Sequence, residues 1–82
     1  MLLMPDELNN RLREERMQRG LTQADLAELV GVSRKTINTV ENKVFIPSTI
    51  LALRLARALG ISVEELFQLP DTGAARSSRP KA

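Results

Sequence analysis

The sequence predicts an all-α fold, a compact arrangement of five short helices in a single small domain of an 82-residue chain. Three observations carry this prediction. Apolar residues recur at helical spacing in five segments, and residues typical of helix N-caps precede most of them. No segment alternates apolar and polar residues with the period of a half-buried strand, so we expect no sheet.

The first helix is expected within "DELNNRLREERMQR", which follows Pro5 and ends before Gly20. Leu8 and Leu12 are four residues apart and define its buried stripe.

The second and third predicted helices are separated by a short turn. Thr22 is an N-cap candidate for a helix from residue 23 to about residue 30, and Gly31 is suited to the left-handed turn that follows. Ser33 then caps a third helix that runs from residue 34 to about residue 42.

The fourth helix, "TILALRLARAL", is expected between its N-cap Ser48 and Gly60. Ser62 with Glu65 three residues later forms a capping-box pattern that opens a short fifth helix, "VEELF". We expect Phe45, in the loop "KVFIP", to fill the gap between the third and fourth helices. The predicted core consists of Leu8, Leu12, Leu21, Leu26, Ala27, Val32, Ile37, Val40, Pro47, Leu53, Ala56, Leu59, Ile61, Leu66 and Phe67.

Composition divides the chain into a short N-terminal extension at 1–5, a folded domain at 6–69 and a tail at 70–82. The tail has prolines, serines and a glycine but no large apolar side chain, so it is expected to be disordered. Acidic and basic residues balance before the tail, and the net charge of +2 arises there from Arg76, Arg79 and Lys81, offset by Asp71.

Histidine, cysteine, tyrosine and tryptophan are absent. The chain therefore lacks the commonest general base, the thiolate nucleophile and the usual nitrogen and sulfur metal ligands. We expect no enzyme activity, no metal and no cofactor. The apolar start "MLLM" is too short for a signal peptide or a membrane span, and the lack of cysteine fits a soluble protein of the reducing cytoplasm.

The third predicted helix has an outer face that is basic and amide-bearing. If Ile37 and Val40 face the core, then Arg34, Lys35, Asn38 and Thr39 lie on the opposite side, and the helix has no acidic residue before Glu41. Taken alone, such a basic pair on an exposed helix is more often simply solvated.

Two charges fall on inward-facing stripes. Arg16 follows Leu12 by four residues, and Glu41 follows Ile37 by four. Their opposite signs predict a partly buried structural ion pair between the first and third helices. The alternative is that both side chains extend to water at the helix ends.

The segment "LTQADLAELVGVSRKTINTVEN", together with "PSTILALRLARALGISVEELF", resembles the Xre/Cro-type helix-turn-helix of bacterial and phage repressors. The likeness covers about residues 8–69 and also implies the Arg16–Glu41 pair. One residue departs from the pattern: Lys43 follows "EN" where the family often has glycine. Either the third helix ends differently or Lys43 adopts a left-handed conformation.

The resemblance implies binding to double-stranded DNA, with the third helix in the major groove. It places Ser33, Arg34, Lys35 and Thr39 at base-reading or base-adjacent positions, with Asn38 at a more lateral one. Phosphate contacts are expected from Gln23, Asn42, Lys43, Ser48 and Thr49.

The expected function is sequence-specific DNA binding as a transcriptional regulator, and a repressor is favoured over an activator. A homodimer, at least on DNA, is expected because one recognition helix covers only a few base pairs. The alternative is an antitoxin-type or other interaction module whose main partner is a protein. Whether the chain acts alone or within a larger regulator stays open.

Overall fold

The structure, a computed structural model, describes residues 8–70, so the predicted extension at 1–5 and all of the predicted tail beyond Pro70 lie outside the described residues. Within that range the all-α, five-helix prediction is confirmed. The helices are α1 (Leu12–Gln18), α2 (Gln23–Val30), α3 (Arg34–Glu41), α4 (Thr49–Leu59) and α5 (Val63–Leu66).

A short antiparallel strand pair corrects the prediction that the chain has no sheet. Strands β1 (Asn9–Asn10) and β2 (Phe67–Gln68) pair with Asn9 opposite Gln68 and Asn10 opposite Phe67. Two-residue strands are too short to show an alternating pattern, and the two come from opposite ends of the domain. Their pairing is therefore a product of the tertiary fold and has no local sequence signal.

The same pairing shortens two predicted helices. Helix α1 begins at Leu12, not near Asp6, because the preceding residues are in β1 and the Asn10 side-chain oxygen accepts a hydrogen bond from the Leu12 backbone N–H at 3.0 Å. Helix α5 ends at Leu66, because Phe67 has extended backbone and belongs to β2. The pairing of β1 with β2 thus joins the two ends of the described range.

The bounds of the three central helices agree with prediction. Thr22, Ser33 and Ser48 are the N-caps of α2, α3 and α4, and each side-chain oxygen accepts a backbone N–H three residues on. Gly31 ends α2 in the left-handed region at φ 78°. Ala27 is buried on the inner side of α2, where it is small enough for α3 to pass closely.

The core lies between α1, α2, α3 and α4, with Leu66 and Phe67 closing one end. On α4 the buried leucines are Leu51, Leu55 and Leu59, whereas Leu53, predicted to be buried, is 55% exposed. Every second residue from 51 to 55 is leucine, so the apolar pattern alone does not choose between the two helix faces.

The position predicted for Phe45 is also wrong. Its side chain is 45% exposed and lies beside Lys35 and Thr39 of α3 instead of filling a gap between α3 and α4. The reason is local: the backbone N–H groups of Val44 and Phe45 both donate to the Thr39 carbonyl, at 2.9 and 3.2 Å. The loop therefore folds back on the end of α3.

Candidate nucleic-acid interface

Helices α2 and α3 are joined by a three-residue turn, 31–33, that fixes which face of α3 is exposed. Ile37 and Val40 are almost fully buried against the core. Arg34, Lys35 and Asn38 are exposed on the opposite side. The outer face predicted from the sequence is thus the solvent face of α3.

Arg34 and Lys35 hold the positive charge of this face. Neither side chain forms a hydrogen bond or ion pair with any residue of the described range 8–70. Together they present a forked guanidinium and an ammonium at the N-terminal end of α3. In chemical terms these are donors for phosphate oxygens or for the acceptors of a guanine edge.

Ser33 and Thr39 are partly committed to the protein. The Ser33 hydroxyl oxygen accepts from the Thr36 backbone N–H at 3.1 Å and lies 3.0 Å from the Thr36 hydroxyl. The Thr39 hydroxyl donates to the Thr36 carbonyl at 2.9 Å. Base contacts by these hydroxyls stay a prediction, and Thr39 would meet a base as an acceptor while this bond lasts.

Glu41, the acid of α3, is neutralised by Arg16. The Arg16 Nε donates to Glu41 Oε2 at 2.6 Å and its Nη2 donates to Oε1 at 3.3 Å. The side chains are 11% and 3% exposed. Arg16 also donates to the Leu21 carbonyl at 2.8 Å, so one guanidinium joins α1, the start of α2 and the end of α3.

A chain of side-chain amides extends from this ion pair to the surface. Gln23 Nε2 donates to Glu41 Oε1 and to Asn38 Oδ1, both at 3.1 Å. Asn42 Nδ2 donates to the same Asn38 oxygen at 3.2 Å. The resemblance predicts that these amides lie near DNA, and the sequence did not predict that they contact one another. Only the tertiary crossing of α2 over α3 brings them together.

The residues predicted to contact phosphate differ in which hydrogen-bond donors they can offer to it. Both N–H groups of the Gln23 amide have protein partners, which leaves its backbone N–H at the start of α2 as the donor toward a phosphate. Lys43 has an exposed ammonium whose neighbour is Asn9 Oδ1 at 2.9 Å. Ser48 and Thr49 form the exposed N-terminus of α4. Each contact stays a prediction.

Lys43 also has the left-handed backbone that was one of the two predicted outcomes, with φ 63°. Its N–H donates to the Val40 carbonyl at 3.0 Å and the Val44 N–H to the Thr39 carbonyl at 2.9 Å. This pattern is a Schellman motif, in which glycine is the usual residue at this position. A lysine here brings a cation to the end of α3 at the cost of backbone strain.

Residues 8–70 contain neither a metal-binding cluster nor a membrane-spanning helix. No group of three or more acidic, histidine or cysteine side chains is placed to hold a metal ion there. No helix in this part of the chain is long and apolar enough to cross a membrane.

Comparison with known proteins gives consistent relatives. The helix-turn-helix family profile matches residues 12–66. An uncharacterized HTH-type transcriptional regulator of Methanothermobacter thermautotrophicus is 52% identical over 64 residues, which are 77% of this chain and 93% of the relative.

Two solved structures are similar in both sequence and fold. The restriction-modification controller protein C.AhdI from Aeromonas hydrophila has 42% identity and a TM-score of 0.64, over 67% of this chain and 83% of C.AhdI. The P22 c2 repressor, solved in complex with a synthetic operator, has 33% identity and a TM-score of 0.64, over 66% of this chain and 82% of the repressor. This chain belongs to the helix-turn-helix family of transcriptional regulators, in its Xre/Cro-like group.

Proposed function

We propose that this protein represses transcription by binding an operator as a homodimer, with α3 of each copy in the major groove. The observation that carries the proposal is the outer face of α3. Arg34 and Lys35 are exposed and have no protein partner within residues 8–70, while the only acid of the helix is paired with Arg16. Such a face suits a groove lined with acceptors and flanked by phosphates. Support for an operator as partner comes from the P22 c2 repressor complex.

Arg34 and Lys43 have different roles in this proposal. Arg34, near the N-terminus of α3, would donate to guanine O6 and N7. Lys43, beyond the C-terminus of α3, would contact phosphate alone. Base contacts determine sequence preference, whereas phosphate contacts set affinity for any sequence and its dependence on salt.

The test is a salt series on a specific and a scrambled duplex, with the operator obtained by selection from randomised DNA. Arg34→Ala should cost about 1–3 kcal/mol on the specific site and flatten the preference at one base pair per half-site. Lys43→Ala should weaken both duplexes by similar factors and reduce the salt slope by about one unit per subunit. Gln23→Ala, a neutral control, should leave the slope nearly unchanged.

Two outcomes would count against this assignment. A uniform loss from Arg34→Ala with unchanged sequence preference would remove Arg34 from base reading. If the unmodified protein shows no salt-dependent binding to duplex DNA, the result would favour the alternative of a module whose main partner is a protein.

A further inference from the structure

We propose that Asn38 determines specificity by presenting only hydrogen-bond donors to the groove, and that Glu41 imposes this by fixing the orientation of three side-chain amides. The inference rests on the proposed function, in which the outer face of α3 meets base edges. It adds a prediction of which bases Asn38 can contact.

The fixed end of the amide chain is the Glu41 carboxylate. Arg16 donates two hydrogen bonds to it, and a carboxylate can only accept. The amide group of Gln23 that lies 3.1 Å from Glu41 Oε1 must therefore be the NH2 group. The opposite orientation would place an amide oxygen against a buried carboxylate oxygen, which is strongly unfavourable.

The orientation passes from Gln23 to Asn38. The same Gln23 nitrogen lies 3.1 Å from the Asn38 side chain and has a second N–H to donate, so the atom that it meets must be the Asn38 carbonyl oxygen. Asn42 meets that oxygen at 3.2 Å and must do so through its own NH2 group. The orientation of an amide, which is ambiguous by shape alone, is determined here by its neighbours.

The consequence appears at the surface. Both lone pairs of the Asn38 oxygen face protein donors, while its NH2 group has no partner within residues 8–70 and the side chain is exposed. Asn38 therefore offers two N–H donors to a ligand and no acceptor.

This restriction selects among bases. Asparagine usually reads adenine with one donor and one acceptor, which requires its oxygen to be available. With donors only, Asn38 fits the N7 and O6 acceptors of guanine or the O4 acceptor of thymine. An adenine or cytosine amino group facing Asn38 would find no acceptor. We expect guanine or thymine at the base that it contacts.

The first experiment compares operators selected from randomised duplex DNA by the unmodified protein, Asn38→Asp and Asn38→Leu. Asn38→Asp keeps an acceptor for Gln23 and Asn42 but replaces the outward donors. Asn38→Leu removes them without adding charge. Asn38→Leu should flatten the preference at one base pair, and Asn38→Asp, which presents an acceptor, should shift the preference at the same base pair toward a base with an amino group. Both variants should weaken the selected site by about five- to 150-fold beyond their loss on a scrambled duplex. The scrambled duplex measures the effect of the added charge, and thermal unfolding checks that both variants are folded.

An adenine at that base pair whose replacement by purine, which lacks the N6 amino group, weakens binding of the unmodified protein but not of Asn38→Leu would overturn the inference, because an Asn38 that only donates cannot accept from that amino group. So would two variants that leave every base preference unchanged. If Arg34→Ala still alters a base pair in that case, the proposed function stands and only the role of Asn38 is rejected. If neither residue affects any preference, both proposals fail.

The second experiment needs no DNA. Proton exchange of the side-chain NH2 groups, measured by NMR on the folded protein, should be slower for Gln23, whose two N–H groups are bonded, than for Asn38. Faster exchange at Gln23 than at Asn38 would show that the amides have the opposite orientation and would overturn the inference whatever the DNA results are.

Discussion

Arg16 joins three parts of this domain through one guanidinium. Its guanidinium donates to Glu41 of α3 and to the Leu21 carbonyl before α2, and it is mostly buried. Breaking a buried pair is costly because the remaining charge loses its partner while it stays out of water. The orientation of the recognition helix therefore depends on a residue that has no expected contact with DNA.

Arg16→Ala should lower the free energy of unfolding by about 1–3 kcal/mol, as measured by chemical denaturation. Arg19→Ala is the matched control at the end of the same helix, because Arg19 pairs with Glu15 at the surface and its loss should lower the free energy of unfolding much less. The double change Arg16→Met with Glu41→Leu should recover much of the loss. Purely additive losses in a double-mutant cycle would contradict the coupling.

At the scale of elements, the end of α3 shows how backbone strain can be isolated from side-chain effects. Lys43→Ala and Lys43→Gly both remove the ammonium and its contact with Asn9, but only glycine relieves the positive φ. We expect the glycine variant to be more stable than the alanine variant by about 1 kcal/mol in denaturant unfolding. Equal stabilities would mean that the Schellman turn imposes no strain on an L-residue here.

The start of α2 should carry part of the acid sensitivity of the fold. The Thr22 backbone N–H donates to Asp25 at 2.9 Å, and this bond, followed by the Thr22 side chain, lowers the pKa of Asp25 below its ordinary value of 3.8. Because the folded-state pKa is depressed, the stabilisation is present above about pH 3.8 and is lost as pH falls through the lower folded-state pKa.

Asp25→Asn should therefore reduce stability at pH 7, and its difference from the unmodified protein should shrink as the pH falls below 4. The measurement is a series of denaturant unfolding curves between about pH 7 and pH 2.5. Arg19 also lowers the pKa of Glu15, but that contribution is common to both proteins and cancels in the difference. Glu28→Gln, on the exposed face of the same helix, is the control. A pH-independent difference for Asp25→Asn would exclude the carboxylate as its source.

At the scale of the whole molecule, the short length of α3 predicts that the protein binds DNA as a dimer. Helix α3 has eight residues and is therefore about 12 Å long, which reaches only a few base pairs. Two copies related by a two-fold axis would read half-sites about 34 Å apart, one turn of DNA. The selected operator should then be pseudo-palindromic with that spacing.

Sedimentation of the protein–operator complex provides the measurement, with two chains per duplex as the expected result. A half-site duplex is the control, and it should bind far more weakly than the full site at the same salt concentration. A selected site with a single unrepeated core, bound by one chain, would contradict the dimer.

The sequence by itself determined the helices that are defined locally. Caps such as Thr22, Ser33 and Ser48 and the stop at Gly31 act within one turn of the backbone, so the bounds of α2, α3 and α4 could be predicted. The facing of α3 followed from Ile37, because a helical period of 3.6 residues assigns every other position once one buried residue is known.

Only the tertiary structure decided the features that depend on distant segments. Three such features have no local sequence signal: the strand pairing of Asn10 with Phe67, the burial of Leu55 instead of Leu53, and the amide chain from Glu41 to Asn38. These contacts are made by groups that are distant in sequence and meet only in the folded chain. A cap, in contrast, accepts hydrogen bonds from backbone N–H groups of its own helix. The residues on the exposed face of α3 could therefore be predicted from sequence, but not which of their atoms have protein partners and which are available to a ligand.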